Sequence, residues 1–440
     1  MHILIVGTQP FNNAVQSRSY ASYFGTFKPS EVIQIFSDAR VPCKGFCAKL
    51  FQITDERLVR RRFEKNEDVI YDRENLKEVW SGKESVPSRW TPKRKTGFYR
   101  FLRKFVWNKK YWLTKRLENF VEDFRPDAVF LSWGEDFFLM DVAEYFAKKY
   151  EIPIFVSITD DCYFFTDLKR EGFDLLRALY LRKYRQRVDA FFKGDVYGFF
   201  VSDKIMEKYE NYFQIPGVVA PIGSSIEPIW KEPETDLRNG IYYFGNLEYG
   251  RLKAIEAFSV ELNKFFPLVP IHVFSKDVKS DRNKGNLFLH ASVSYKKAVE
   301  IMKGACSALL LAESFESNDI AHVRYSLSTK VGDCFCAMKP IICIGGRGAG
   351  AVDFVKEQKC AFICDNLDDM PSFCRGLLPE IQKKAADYLI KQYEIARNVF
   401  NETNSSLKWR DNAEAFLNAS RLKKTPSLAK YTISENKEEE

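Results

Sequence analysis

The sequence predicts an α/β protein built from two doubly wound parallel-sheet domains, and three observations carry that reading. Short apolar runs of strand length alternate with helical stretches along most of the chain. The chain has 440 residues, more than one ordinary core, with 45% hydrophobic content to fill two. A Pro/Gly-rich passage near the middle separates one run of alternation from the next.

The chain opens with His2-Ile-Leu-Ile-Val-Gly7, an apolar run closed by a glycine. A polar, turn-rich loop from Thr8 to Ser19 and an aromatic helix follow. The loop lacks the GxGxxG spacing, so a dinucleotide site is not supported. Asp127-Ala-Val-Phe-Leu-Ser132 reads as a strand, Phe137 to Lys149 as a helix, and Ile154-Phe-Val-Ser-Ile158 as a strand ending at Asp160 and Asp161. Repeated strand-then-helix units imply parallel strands covered on both faces.

From Val201 to Pro228 a helix gives way to the Pro/Gly-rich exit, read as the hinge. The first domain is placed at 1–225 and the second at 226–380, whose first strand and turn run from Ile241 to Leu247. A helix from Lys296 to Ala305, a strand from Ser307 to Leu311, a strand from Ile341 to Ile344 and a glycine-rich turn from Gly345 to Gly350 continue it. Helical stretches from Pro379 to Val399 and Leu407 to Ala419 make a C-terminal unit, 381–420. Residues 421–440 are polar and charged, a composition that predicts disorder.

Composition excludes several classes. Ten cysteines stand without a metal-type C-x-x-C repeat, and no charged-then-apolar leader is seen, so a reduced, cytoplasmic protein is expected. No run reaches the ~18–20 apolar residues of a membrane span, which leaves only peripheral contact with a bilayer. Four histidines make a His-rich metal centre unpromising, and a net charge of +8 without an RNA-binding motif argues against nucleic acid as a partner.

The run Arg324 to Ile344, RYSLSTKVGDCFCAMKPIICI, is the densest in chemistry. With Ser328 as cap, the first free N–H groups of a helix point outward beside the Lys330 ammonium, where the macrodipole favours an anion such as phosphate. Asp333, at i+3 from Lys330 and i+4 from Thr329, shares that face and is placed to accept from two neighbouring sugar hydroxyls. The same residues would also serve as a plain capped helix start.

This run resembles the donor-site helix of nucleotide-sugar glycosyltransferases of the two-domain GT-B type, the large retaining group, where Pro-Ser-Lys, Glu/Asp-Tyr and Ala-Gly-Lys-Pro-Val occupy this place. Ser328, Thr329, Lys330, Asp333, Ala337 and Lys339-Pro340 match it. Ser202-Asp-Lys204 with the Pro/Gly-rich exit, and the block from His290 through Leu311, are similar to further segments of that family. The resemblance implies two Rossmann-like domains facing a cleft, C-terminal helices packing across both, and transfer of a sugar from a nucleotide-sugar to an acceptor. It implies Gly245 and Arg251 beside the donor diphosphate, with Lys253 as an alternative to Arg251, and the backbone near Val293 beside the base. Departures are visible. The glutamate that many relatives carry eight positions before the carboxylate is Tyr325, Glu313 and Glu316 lie further upstream, and Asn12, Asn13 and Gln16 replace a glycine-rich first loop.

Sugar transfer leaves negative charge on the departing diphosphate, which fixed cations and helix N–H groups must meet. Lys330, Arg251 and the helix start at Thr329 are the catalytic candidates for that work, with Asp333 on the donor sugar; no metal or other cofactor is expected. On the acceptor side the candidates are Asn13, Gln16, Trp133, Glu135, Asp160 and Asp161, the last two at a strand's end where open sheets bind ligands. Trp133 as a packed side chain and the aspartates as loop caps are the alternatives.

Residues 89–116 contain eleven Lys and Arg, eight aromatics and no acid. They are expected to dock on an anionic membrane presenting a lipid-linked acceptor. The expected function is transfer from a nucleotide-sugar to a saccharide or lipid-linked acceptor in surface polysaccharide assembly. The alternative is a non-catalytic sugar-nucleotide-binding or membrane-scaffolding protein that kept the fold.

Overall fold

Apolar runs too short for helices and bounded by turns become strands, and helices cover them. The computed structural model describes the chain apart from residues 12–17, 64–67, 78–96, 135, 165–174, 234, 305 and 425–440. Its first sheet contains β1 (Ile3–Gly7), β2 (Val32–Phe36), β3 (Lys49–Gln52), β4 (Val69–Asp72), β5 (Ala128–Ser132), β6 (Ile154–Ile158), β7 (Val196–Phe200) and β8 (Gly217–Val219). The second contains β9 (Ile241–Phe244), β10 (Ile271–Ser275), β11 (Arg282–Lys284), β12 (Leu287–Ala291), β13 (Ala308–Ala312), β14 (Ile341–Ile344) and β15 (Phe362–Cys364).

The strand orders are β4-β3-β2-β1-β5-β6-β7-β8 and β11-β12-β10-β9-β13-β14-β15. Only the edge pairs β3/β4 and β11/β12 are antiparallel among the described strands. β1, β6 and β14 are buried along their whole length, as strands covered on both faces must be.

In the first half the helices are α1 (Arg18–Phe24), α2 (Asp55–Arg60), α3 (Gly97–Val106), α4 (Lys109–Trp112), α5 (Lys115–Glu122), α6 (Phe138–Tyr150), α7 (Leu175–Phe191) and α8 (Asp203–Phe213). The second half adds α9 (Arg251–Phe265), α10 (Tyr295–Gly304), α11 (Ser317–Val323), α12 (Thr329–Cys336), α13 (Gly350–Gln358), α14 (Met370–Ile395) and α15 (Glu402–Lys424). Two Rossmann-like domains result, as the alternation of strands and helices predicts.

α14 begins nine residues before the predicted start, because Pro379 lies inside it rather than opening it. Cys374, Leu377, Ile381, Ala385 and Leu389 keep a three-and-four spacing through the proline and bury against the second sheet. α15 then returns to the first domain. Its Trp409 is buried among Tyr23, Phe24, Phe27, Phe130 and Phe199. The helix runs to Lys424, past the start of the tail expected to be disordered, and residues 425–440 lie outside the described ones. The two passages between domains touch: the Ser224 N–H donates to the Phe400 carbonyl at 2.7 Å, and the Glu402 N–H donates to the Ser224 carbonyl at 3.2 Å.

In the basic aromatic segment, residues 89–96 are not described. Its two described tryptophans are core residues rather than interfacial ones: Trp107 is 3% and Trp112 1% exposed. Arg103 also turns inward, to Asp55 and Asp136. No described helix is long and apolar enough to cross a membrane.

Candidate donor-binding cleft

In an open parallel sheet, ligands gather beyond the carboxyl ends of the strands where the order reverses. Those points here are beside β1 in the first sheet and beside β9 in the second, where β10 and β13 flank it. A cleft of about 1180 Å³ opens between the domains. Residues of the first domain (Arg18, Asp160, Asp161) and the second (Gly245, Arg251, Val293, Ser328, Thr329, Lys330, Asp333) share its lining.

α12 starts as its sequence dictates. The Ser328 hydroxyl accepts from the Lys330 N–H at 3.4 Å, a weak cap, so Thr329 and Lys330 occupy the first turn facing the cleft. The Lys330 ammonium donates to the Tyr243 hydroxyl at 2.8 Å and stands 4.6 Å from that ring's centre. Among the described residues it has no carboxylate partner, so its charge is uncompensated. Gly245 makes this possible. It sits at the end of β9 with φ +148°, and a Cβ there would lie 2.7 Å from Lys330 Cδ. The lysine stem therefore lies directly on the strand's last peptide.

Arg251 opens α9 and is placed otherwise. Its Nε and Nη2 donate to Glu313 at 2.8 and 3.2 Å, and Nη1 donates to Asn246 Oδ1 at 2.6 Å. Both charged side chains are buried, at 7 and 6% exposure. Burial alone would lower the guanidinium's pKa, and Glu313 outweighs it and holds the group charged. Gly345, with φ +146°, packs on Glu313 as Gly245 packs on Lys330. Arg251 thus reaches the cleft with its charge balanced. Lys253 pairs instead with Glu316 at the surface.

Asp333 is the most heavily engaged carboxylate of the cleft. Arg18 of α1 donates to both its oxygens, Nη1 at 2.8 Å and Nη2 at 2.5 Å. Oδ1 also accepts from Ser224 Oγ at 2.6 Å and Tyr295 Oη at 3.0 Å. Tyr295 keeps its proton, since burial and then the Asp333 charge push its pKa up to about 12. The carboxylate expected to await sugar hydroxyls is therefore tied to the opposite domain, to the interdomain passage and to α10.

On the acceptor side the candidates divide. Asp160 reaches across the cleft, where Oδ1 accepts from Ser326 Oγ at 2.7 Å. Asp161 caps its own loop, accepting from the Phe164 N–H at 2.8 Å, and pairs with Lys208 at 3.2 Å. Trp133 packs against Phe191 and Phe192, as the packing alternative has it. Asn13, Gln16 and Glu135 lie outside the described residues. Tyr325, in the place of the relatives' glutamate, lies under the Lys208 ammonium at 4.2 Å. His290 is remote from this chemistry, bonded to His272 and Asp281. Among the described residues, no three His, Cys, Asp or Glu are grouped to hold a metal ion.

Arg18, Ser224 and Tyr295 are not among the sequence-predicted site residues, and Glu313 was considered only for the relatives' glutamate position, from which it lies too far upstream. Only Glu313 had a local signal, a charged residue directly after the buried strand β13.

This architecture defines the class: the chain has the GT-B fold, two Rossmann-like domains facing a cleft. No family model matches the chain, and no curated protein matches it in sequence. Solved structures do match. A UDP-forming α,α-trehalose-phosphate synthase from Burkholderia xenovorans, in complex with glucose-6-phosphate, is similar at 11% identity and TM-score 0.56, over 95% of this chain and 100% of that one. HepE of Anabaena, in complex with UDP, aligns at 10% identity and TM-score 0.53, covering 94% of this chain and all of that one. WaaG, a glycosyltransferase involved in lipopolysaccharide biosynthesis, gives 12% identity and TM-score 0.51 over 93% of this chain and 98% of that one. At these identities the likeness establishes the fold, and function rests on the site.

Proposed function

We propose that the chain is a glycosyltransferase that moves a sugar from a nucleotide-sugar held on the second domain to a saccharide or lipid-linked acceptor. The observation that carries this reading is Lys330: an uncompensated ammonium at a helix start, seated on a glycine at the end of the central strand, in an interdomain cleft. An ammonium and helix N–H groups together meet the charge that grows on a departing diphosphate. Arg251 adds a rigid guanidinium edge whose net charge Glu313 cancels, so in this reading it orients more than it attracts. The likeness to structures containing UDP supports a nucleotide ligand. Retention of anomeric configuration and a role in surface polysaccharide assembly belong to the same proposal and rest on the family resemblance; independence of metal belongs to it too and rests on Lys330, Arg251 and the helix start meeting the diphosphate charge.

Incubation with UDP-, GDP- and CMP-sugars and candidate acceptors, read by mass spectrometry of products, tests it. Transfer or donor hydrolysis that Lys330→Ala abolishes is the expected result. Tyr325 in the glutamate's place favours a second reading, a non-catalytic scaffold. Equal inertness of wild type and Lys330→Ala, with membrane binding retained in both, would establish that one.

A lipid-linked acceptor calls for a cytoplasmic protein peripheral to an anionic bilayer. Support comes from the described part of the basic segment, where Phe105 is 52% exposed beside exposed Lys109 and Lys110 and near Phe63, 82% exposed. Co-sedimentation with phosphatidylglycerol vesicles but not with phosphatidylcholine vesicles is the expected outcome, and equal recovery with both counts against it.

A further inference from the structure

The donor reading leaves a contradiction in the cleft. A ribose needs the Asp333 carboxylate, yet Arg18 already holds both its oxygens. A diphosphate needs more positive charge than one ammonium supplies; Lys276 also lines the cleft, but both guanidiniums there are committed, Arg251 to Glu313 and Arg18, from the first domain, to Asp333. One movement removes both difficulties.

We propose that Arg18 is an exchangeable half of the donor site: a nucleotide's ribose hydroxyls replace the guanidinium on Asp333, and the released Arg18 pairs with the diphosphate. The inference rests on the donor-site reading above and adds a residue from the first domain to it.

Three features of the pair fit exchange better than a fixed structural bridge. First, Arg18 is only 9% exposed, yet its Nε finds no acceptor among the described residues, so its donors are incompletely used where burial makes that costly. A phosphate offers acceptors for all of them. Second, the guanidinium lies 4.3 Å above the Tyr295 ring, a surface it can keep while its N–H groups change partner. Third, Asp333 does not depend on Arg18 alone. Ser224 and Tyr295 keep donating to Oδ1, so a ribose that donates two hydrogen bonds leaves the buried carboxylate satisfied. Because Arg18 belongs to α1 and Asp333 to α12, the exchange couples donor occupancy to the fit of the two domains. No bond to carbon or phosphorus changes; only hydrogen bonds and ion pairs are exchanged.

The exchange separates two quantities that a structural role would move together. Isothermal titration calorimetry on the full chain would compare UDP, GDP, ADP and CDP, each with its own nucleoside. In Arg18→Gln the freed carboxylate is expected to bind the preferred nucleoside about threefold or more tighter, while the preference for diphosphate over nucleoside falls about tenfold. Arg18→Lys is expected to recover part of that preference. In Asp333→Asn the order reverses: the nucleoside weakens, and the preference for diphosphate holds or rises because Arg18 is free. A preference unchanged in Arg18→Gln, or nucleoside and diphosphate weakened in parallel, would overturn the exchange and leave the donor site standing. If Arg18→Gln does not fold, Asp333→Asn decides alone, and a fall in its preference for diphosphate overturns the proposal. No binding of any nucleotide to wild type would sink the donor-site reading itself, and the exchange with it.

Discussion

Two buried arginine–carboxylate pairs face the same cleft and are built for different ends. Arg251–Glu313 lies within the second domain, its partners 62 residues apart and neighbours across β9 and β13. Arg18–Asp333 joins the domains, its partners 315 residues apart. The first is clamped by Asn246 and by Gly345 at the end of β14. The second is shared among Arg18, Ser224 and Tyr295, and the Nε of its arginine has no acceptor among the described residues. A pair whose every group is satisfied locally shapes a site, whereas a pair with replaceable partners can respond to what enters it.

Breaking the local pair is expected to have the largest effect. Glu313→Ala leaves a buried guanidinium uncompensated and should cost about 3 kcal/mol or more, measured by urea unfolding. A loss below about 1 kcal/mol would mean that solvent reaches Arg251 and that the contrast between the pairs is weaker than drawn. Asp333→Asn also strands a buried guanidinium but should cost less, ~2 kcal/mol, because the Glu402 carboxylate still acts on Arg18 and the amide still accepts from Ser224 and Tyr295. A loss equal to that of Glu313→Ala would make the two pairs alike.

Gly245→Ala tests the seat of Lys330. The substitution forces a Cβ into the lysine stem at a φ that L-residues avoid, so ~1–2 kcal/mol of stability should be lost. Diphosphate affinity should fall with it, by about tenfold, as in Lys330→Ala. Unchanged affinity in both variants would detach Lys330 from the donor.

Much of the architecture was legible in the chain because its causes are local. β1, β5, β6 and β14 lie where apolar runs end in turns, and α12 starts where Ser328 precedes Thr329-Lys330. α14 was misread at its start because a proline marks a helix boundary by default. Here the apolar spacing of Leu377 and Ile381 continues through Pro379, and burial outweighs one missing N–H. The site was half legible. Lys330 and Gly245 meet because each ends or begins an element, but no local pattern announces that Arg18 will meet Asp333. That contact depends on how the domains close, which spacing along the chain does not encode. The burial of Trp107 and Trp112 in the basic segment was not legible for a related reason: amphipathic composition does not say which face turns inward, and Asp55 draws in both Arg103 and the Trp107 N–H.

The smallest expected effect sharpens the comparison at the interdomain node. Glu402, first residue of α15, has a pKa raised above 4.5 by burial, which the nearby Arg18 charge offsets only in part. A carboxyl raised by folding contributes its stabilisation fully at pH below its unfolded value, and that contribution is lost as pH rises through the folded one. Glu402→Gln should therefore raise the melting temperature near pH 7 by about 1 °C and make no difference near pH 4. A fall in melting temperature near pH 7 instead would reverse the sign and place Glu402 in an ion pair with Arg18.

The most direct test of the central claim is the crystal structure of the chain with its preferred nucleoside diphosphate. The account predicts phosphate oxygens within hydrogen-bond distance of the Lys330 ammonium, ribose hydroxyls on Asp333, and Arg18 turned to the diphosphate. A nucleotide bound away from Lys330 would contradict it.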